Sequence, residues 1–341
     1  MSGIAPRSLF VRLAATAVFV AAAVLAGPSQ AQINVLVFRG GPTPDIPSIY
    51  GSVDNIGDQH LSQMVTNRIL ASVLLGANEQ VNCSDCVSIF GTAGSFSAGA
   101  HGRKNITEQL SVLGGAAYSE YDAHGYKVRS APILAFALRY DFTNWGSSRP
   151  FFDLGGVVSP GQRISYQRSY LSSIGVTTAT GDTHGADYAV FERAGWVMRL
   201  SPIDEFAVVG ELWQGWQRTG AYQELLTPAN PFNATVAGGT DRMNIVRIGG
   251  QWTHLFGNRL ELNLNGGFAQ SFGTSLGVST LITGIGFVAP SAGEQHWGEY
   301  GARLGWRLTN AIVANVFVNG TIGPAPIGNT AHGGAELRFH F

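Results

Sequence analysis

Cys83 and Cys86 are the only cysteines in the chain, and they form a C-x-x-C pair. In an oxidising compartment the simple reading of such a pair is a local disulfide. A redox motif would want a strand–helix context, and zinc would want four ligands with a second pair nearby. Neither surrounds these two residues, so free thiols and a metal or redox pair stand as the alternatives. The eight His residues are scattered. None pairs with an acid four residues away in a metal or hydrolase motif, and no G-x-S-x-G nucleophile signature occurs. Barrel proteases and lipases build their sites from several strands, but nothing here singles out such a set. The expectation is therefore no catalytic residue, no metal site, no cofactor and no enzyme.

Charge is the larger chemical resource. Arg139, Asp153, Arg193, Arg199, Glu211, Arg247, Glu261, Glu299, Arg303, Arg307, Glu336 and Arg338 all recur on one face of strand-length segments. The set holds seven Arg and five acids. Two chemistries fit it. Adjacent opposite charges could brace a narrow enclosed space, a task that suits the planar guanidinium fork and its bidentate pairing with carboxylates. Alternatively, the same charges could line a pore with a slight preference for anions.

The elements that must position these charges alternate with a two-residue period. Leu260, Leu262, Leu264 and Phe268 share one face of 259–270, opposite Glu261, Asn263 and Asn265. Tyr300, Ala302, Leu304, Trp306 and Leu308 oppose Glu299, Arg303 and Arg307. Strands are expected near 92–101, 108–120, 130–142, 150–158, 187–200, 205–217, 243–255, 259–270, 296–308, 311–319 and 331–341.

Alternation alone also fits a soluble sandwich. Three features favour a membrane barrel. The second face is charged and rich in Gly, as a crowded polar lumen would be. Connections alternate between short (near 143–148, 201–205, 257–258 and 309–310) and long (near 159–186, 218–242, 271–295 and 320–331). Aromatics crowd the short-turn ends, as an interfacial girdle would: Tyr140, Phe142, Trp145, Phe152, Trp252, Phe256, Trp306, Phe339 and Phe341. A single-chain bacterial barrel has an even number of strands, and these eleven lack one. Residues 32–39, with Ile33, Val35 and Val37 alternating, are the expected first strand, which gives twelve.

Composition agrees. Charged residues are 13% of the chain, about half the usual share, and the 45 Gly are about twice theirs. A net charge of −1 leaves no broad basic surface for nucleic acid. Residues 1–31 read as a signal peptide: Arg7 and Arg12 precede the apolar run Leu13 to Ala26, and Ser29-Gln30-Ala31 places cleavage before Gln32. Removing it takes two Arg and no acid, moving the net charge from −1 to −3. An exported chain with no later apolar helix must cross a membrane, if it does, with strands. Residues 56–77 read as a helix, from Leu61, Val65, Ile69 and Val73 at four-residue spacing, capped by Asp54 or Asp58 and ended by Gly76. The helix is long enough to thread the lumen, or it could pack at the mouth or on the membrane.

The tract Gly94-Ser95-Phe96-Ser97-Ala98-Gly99-Ala100-His101-Gly102-Arg103, followed by Leu110-Ser111-Val112-Leu113-Gly114-Gly115-Ala116-Ala117-Tyr118, resembles the early strand–turn–strand of autotransporter β-domains. Arg193-Ala194-Gly195-Trp196, Asp204-Glu205-Phe206-Ala207-Val208 and the terminal Phe341 fit the same family. The resemblance covers 92–341. It implies a twelve-stranded outer-membrane barrel with a helix in or near its pore. It also implies that Leu337, Phe339 and Phe341 of the last strand form the signal read by the outer-membrane insertion machinery.

The expected organisation is a signal peptide (1–31), an N-terminal segment with a strand and a plug helix (32–91), and the barrel (92–341). Only 32–91 precede the first matched strand, so a large secreted passenger is not expected, and the helix is expected to follow a strand. Two functions are expected from this organisation. One is a narrow or helix-plugged pore in the outer membrane of a Gram-negative bacterium, with lipid and the insertion machinery as partners. The other is a structural or adhesive surface protein whose long loops bind an outside partner.

Overall fold

A strand with one apolar and one polar face buries its backbone polar groups only if both edges are paired, and closing the sheet removes the edges. The computed structural model describes residues 41–75, 85–93, 96–123, 125–143, 145–291 and 293–341. These belong to one compact unit, Val37–Phe341. The expected signal peptide, the expected strand 32–39, Gly76 and Cys83 lie outside the described residues.

Helix α1 (Ile46–Leu74) leads into β1 (Cys86–Ala93), β2 (Phe96–Asn105), β3 (Leu110–Ala123), β4 (Tyr126–Asp141), β5 (Ser148–Ser172), β6 (Gly175–Arg199) and β7 (Asp204–Thr219). Two short strands follow, β8 (Tyr222–Gln223) and β9 (Ala234–Ala237), then β10 (Gly239–Phe256) and β11 (Leu260–Ser275). After β12 (Ser279–Ile282) and β13 (Gly286–Val288) come β14 (His296–Arg307), β15 (Ile312–Ile322) and β16 (Thr330–His340). Twelve of these form a closed antiparallel barrel in the order β1-β16-β15-β14-β11-β10-β7-β6-β5-β4-β3-β2. Closure is made by β1 against β16, from Cys86↔His340 to Ala93↔Gly333.

The expected count of twelve holds, and eleven strands fall where the alternation puts them. The twelfth described strand is Cys86–Ala93 and not 32–39. Its alternation is short: Val87 and Ile89 face out while Ser88 and Phe90 are buried. Eight residues beside a cysteine pair give too few periods to stand out from a loop.

Connections at one end of the barrel, the turn end, are all short; the long ones lie only at the other, the loop end, which also holds the short β1–β2, β3–β4 and β5–β6 links. The segment 159–186 is not a loop. β5 and β6 run on as one hairpin, paired out to Ser172↔Gly175, with a register shift between Ser159 and Gln162. Each has 25 residues, whereas about nine to eleven cross a bilayer, so much of this hairpin stands beyond the barrel wall. Loops 218–242 and 271–295 contribute a four-stranded cap sheet, ordered β13-β12-β9-β8.

The outward face is apolar and open: Leu134, Phe136, Leu138, Val208, Leu212, Ile248, Leu264, Phe268, Leu304, Val316 and Leu337 are all exposed. Of the expected girdle, Tyr140, Phe142, Trp145, Phe152, Phe256, Trp306 and Phe341 are exposed near the turn end. Tyr140 and Phe142 meet edge-on at 5.0 Å, and Trp145 meets Trp196 at 5.3 Å. Among the described residues no helix is long and apolar enough to cross a membrane.

The core lies inside the barrel, between α1 and the wall. Ile49, Val53, Ile56, Leu61, Met64 and Val65 of α1 pack in one buried cluster with Tyr126, Tyr166, Tyr222, Met243 and Trp297.

Candidate functional site: a helix seated in the lumen

The helix is longer than its apolar repeat predicts, and it starts ten residues earlier. It spans Ile46–Leu74 instead of 56–77. Pro47 and Gly51 read as breakers in sequence, yet Pro is tolerated in a first turn where its missing N–H has no partner to lose. The cap is Asp45, not Asp54 or Asp58: its side chain accepts from the Ser48 N–H at 3.1 Å. Gly57 is a point of close approach. A Cβ there would stand 2.7 Å from Leu276 Cδ1 and 3.0 Å from Pro290 Cβ and the Ser291 carbonyl. The 29 residues at about 1.5 Å each span roughly 43 Å.

The helix runs down the lumen from the loop end. At its start, the Asp45 N–H donates to the Leu171 carbonyl (3.2 Å) and the Ser173 N–H to the Thr43 carbonyl (2.9 Å), which pins the entering chain to the tip of the β5–β6 hairpin. At its finish, the Leu74 carbonyl comes up against Gly115 of β3. The chain next enters the described structure at Asp85, at the turn end, and begins β1. The strand expected to precede the helix, 32–39, lies outside the described residues; among the described residues α1 comes before every barrel strand.

Three layers of buried polar contacts hold α1. Near the top, Arg168 of β5 makes a two-pronged pair with Glu224 (2.7 and 2.6 Å) and also donates to Ser52 of the helix (3.1 Å). In the middle, His60 Nδ1 meets Asp241 at 2.7 Å, both fully buried, with its ring stacked on Tyr166 at 4.6 Å. Beside it, Gln63 donates to Gln162 (2.7 Å) and accepts from Tyr166 (2.6 Å) and Gln217 (3.0 Å). The His–Asp contact has the look of a proton-transfer pair. His60 Nε2, however, has no hydrogen-bond partner among the described residues.

The lowest layer is a chain of charges. Strand pairing sets Arg139 opposite Asp153, Asp153 opposite Arg193, Arg193 opposite Glu211 and Glu211 opposite Arg247. Signs therefore alternate across five neighbouring strands. Arg139 grips Asp153 through two 2.7 Å bonds. Arg193 donates to Glu211 (2.9 and 3.1 Å) and reaches Asp153 at 3.4 Å. Arg247 donates to Glu299 at 2.6 Å. The helix enters this chain through Arg68, which donates to Glu211 at 2.6 and 3.1 Å and to Glu299 at 2.5 Å. The guanidinium of Arg68 is only 1% exposed. A single buried charge would be very costly, and it is tolerable here because every neighbour is paired.

The structure thus brings Arg139, Asp153, Arg193, Glu211, Arg247 and Glu299 into one network with Arg68. Glu261 pairs with Arg303 (3.0 Å) and Glu336 with Arg338 (3.6 Å) as separate braces nearer the turn end. Arg199 and Arg307 are exposed at that end. Arg68, His60, Asp241, Arg168 and Glu224 are network members that strand-face alternation does not bring out. Arg68 left one visible trace, a lone cation inside an otherwise apolar and polar-neutral helix segment.

Cys86 is disulfide-bonded, and its expected partner Cys83 lies outside the described residues. Leu337 and Phe341 are exposed and Phe339 half-buried; Phe339 pairs with Val87 and Ile312. Among the described residues no group of His, Cys, Asp and Glu could hold a metal ion.

A closed twelve-stranded barrel with an apolar exterior, filled by a helix that leads into its first strand, is the architecture of an autotransporter β-domain. The translocator domain of the autotransporter NalP from Neisseria meningitidis shares this fold: TM-score 0.56 and 11% identity over 83% of this chain and 98% of that one. Weaker likenesses include the β domain of the Bordetella autotransporter BrkA (TM-score 0.47, 14% identity, 76% of this chain, 99% of that) and the NanC porin (0.42, 10%, 76% and 99%). No family model and no curated protein matches the sequence.

Proposed function

We propose that this chain is an integral outer-membrane barrel of a Gram-negative bacterium, built like an autotransporter translocator and closed by its own helix. The observation that carries this reading is the double pairing of Arg68 with Glu211 and Glu299, which fixes α1 in the lumen. The direction of the helix supports it as well. With the turn end in the periplasm, α1 begins at the outer end of the barrel and descends toward the end where the first strand starts. The exposed apolar wall supports lipid as the surrounding solvent. The exposed Leu337 and Phe341, with Phe339 beside them, support a last strand that the insertion machinery reads.

The lumen charges serve as braces in this reading, since almost all of them are consumed in ion pairs. The twelve-stranded wall is the conduit, the helix is its stopper, and no catalytic step is involved. Single-channel conductance of the refolded mature chain, beside a form lacking Ile46–Leu74, tests it. Conduction by the deletion form alone is the expected result. Equal, steady conduction by both would show that α1 closes nothing.

A second reading rests on the β5–β6 hairpin and the cap sheet, which together make an ordered platform at the loop end. There the protein would be a surface scaffold that binds an outside partner. Binding that survives with the pore shut and disappears when 218–242 is deleted would favour this reading.

A further inference from the structure

Helix α1 does not fill the lumen evenly. Its fully buried side faces β2–β5, β7 and β10. Asn55, Asp58, Ser62, Thr66, Ile69 and Val73, at spacings of three and four residues, are only half-buried and form one stripe along the helix. Three voids lie along that stripe. The uppermost is a cleft of about 440 Å³ between Asp58, Ser62 and Thr66 of the helix and the β15–β16 connection, and it opens at the loop end. The lowest is a cavity of about 70 Å³ bounded by Arg68, Ser72, Glu211, Arg247 and Glu299. Between them lies a void of about 20 Å³ walled by Ile69, Val73, Phe90, Ile133 and Phe317. The voids share walls in series: His332 bounds the upper and middle ones, and Ile69, Val73 and Asn319 bound the middle and lower ones.

We propose that the seated barrel keeps a second, narrow path for water and small inorganic ions down this flank of α1, with Ile69, Val73, Phe90 and Phe317 as its hydrophobic gate. The proposal rests on the reading of α1 as the stopper and adds a route that needs no movement of the stopper. Each vestibule has polar walls that can hydrate an ion. The middle void has room for about one water but offers apolar walls to it, and a water needs two to four polar partners to stay. Such a collar shuts by dewetting and opens when it is widened or made polar. Phe317 is the residue to change, because it projects from the wall of β15 and belongs to no ion pair. Removing its ring enlarges the narrowest point while leaving the Arg68 network untouched.

The test is single-channel recording in KCl on the refolded full mature chain and its Phe317→Ala variant. Trypsin cleavage at Arg68 is followed in parallel, since seating shields that bond. A rise in conductance of at least tenfold over the wild-type closed level, with Arg68 uncleaved, is expected. In a Phe317→Ala/Ser72→Cys chain, a small water-soluble thiol reagent should abolish that current, because Ser72 lines the vestibule below the gate. Val73→Ser, which alters the collar from the helix side, serves if Phe317→Ala fails to fold. A folded variant as silent as the wild type overturns the proposal. So does a current that appears together with cleavage at Arg68, because the helix has then left its seat. A wild-type chain already cleaved at Arg68 and freely conducting would instead overturn the stopper itself.

Discussion

Arg68 and Glu299 stand 231 positions apart in the chain and meet at 2.5 Å inside the barrel. The contact joins the helix to the wall, and its design is asymmetric. Glu299 keeps Arg247 as a second partner, and Glu211, the other acceptor of Arg68, keeps Arg193. Both carboxylates that hold Arg68 therefore also hold an arginine from the wall itself. Withdrawing Arg68 with the helix leaves neither Glu211 nor Glu299 without an arginine, so this layer of the barrel can stand without its stopper.

From this follows the expected behaviour of Arg68→Met. Breaking a buried pair commonly costs about 3–5 kcal/mol because a lone charge stays behind. Here none does, so the loss should fall well below that figure. The barrel should fold, migrate in its heat-modifiable form and open more often than the wild type in bilayer recordings. Openings as rare as in the wild type would show that the layers above, at His60 and Arg168, hold α1 alone.

Asp153→Asn should behave in the opposite way. Asp153 is fully buried, takes both prongs of Arg139 and touches Arg193. Its loss leaves the Arg139 guanidinium, stacked 4.1 Å from the Phe151 ring centre, without its carboxylate. The cost should reach about 3–5 kcal/mol, read as a clear drop in thermal unfolding temperature. Arg307→Gln, at an exposed site on the turn end, should leave that temperature unchanged and alter only ion preference in a conducting form. If the two variants melt together, the buried charges are not the braces they are taken to be.

The wall was legible in the sequence because period-two alternation survives in every long strand and because one face must meet lipid. The inward set followed from the same parity, and six of its members proved to be one network. What parity cannot give is register: Arg139 opposite Asp153 depends on strand pairing, which no local pattern prints. The helix was half legible. Its apolar repeat marked 56–77, but Pro47 and Gly51 hid the first ten residues of the helix, 46–55. β1 was missed because eight residues hold too few periods. Arg68, His60 and Asp241 were missed because their partners lie on other elements, and only the closed barrel brings them together.

Gly57 gives a prediction of its own. A valine there must displace Leu276, Pro290 and the Ser291 carbonyl, the last two being parts that yield little. The segment 276–291 carries β12 and β13, so the cap sheet should loosen while the transmembrane wall stays intact. Limited proteolysis at the loop end should become faster for Gly57→Val, with unchanged heat-modifiable migration. Equal proteolysis rates would mean that the cap does not rest on the helix.

The turn end offers a test by pH. The Asp85 carboxylate accepts the Asn105 N–H at 3.0 Å and lies 3.2 Å from the Lys104 ammonium. Its carbonyl accepts the N–H of Phe341, so the entry to β1 is tied to both β2 and the C-terminus. The Asn105 N–H first, and Lys104 second, hold this carboxyl below its ordinary value of 3.8. A depressed folded value means that the unfolded chain takes up the proton first. The contribution of Asp85 is therefore complete above the unfolded value and fades as the pH falls through the folded one. Asp85→Asn should lower protection of the Asn105 amide from hydrogen exchange at neutral pH, and the gap between variant and wild type should close in acid. A gap that persists unchanged at the most acidic pH would assign the tether to shape and not to charge.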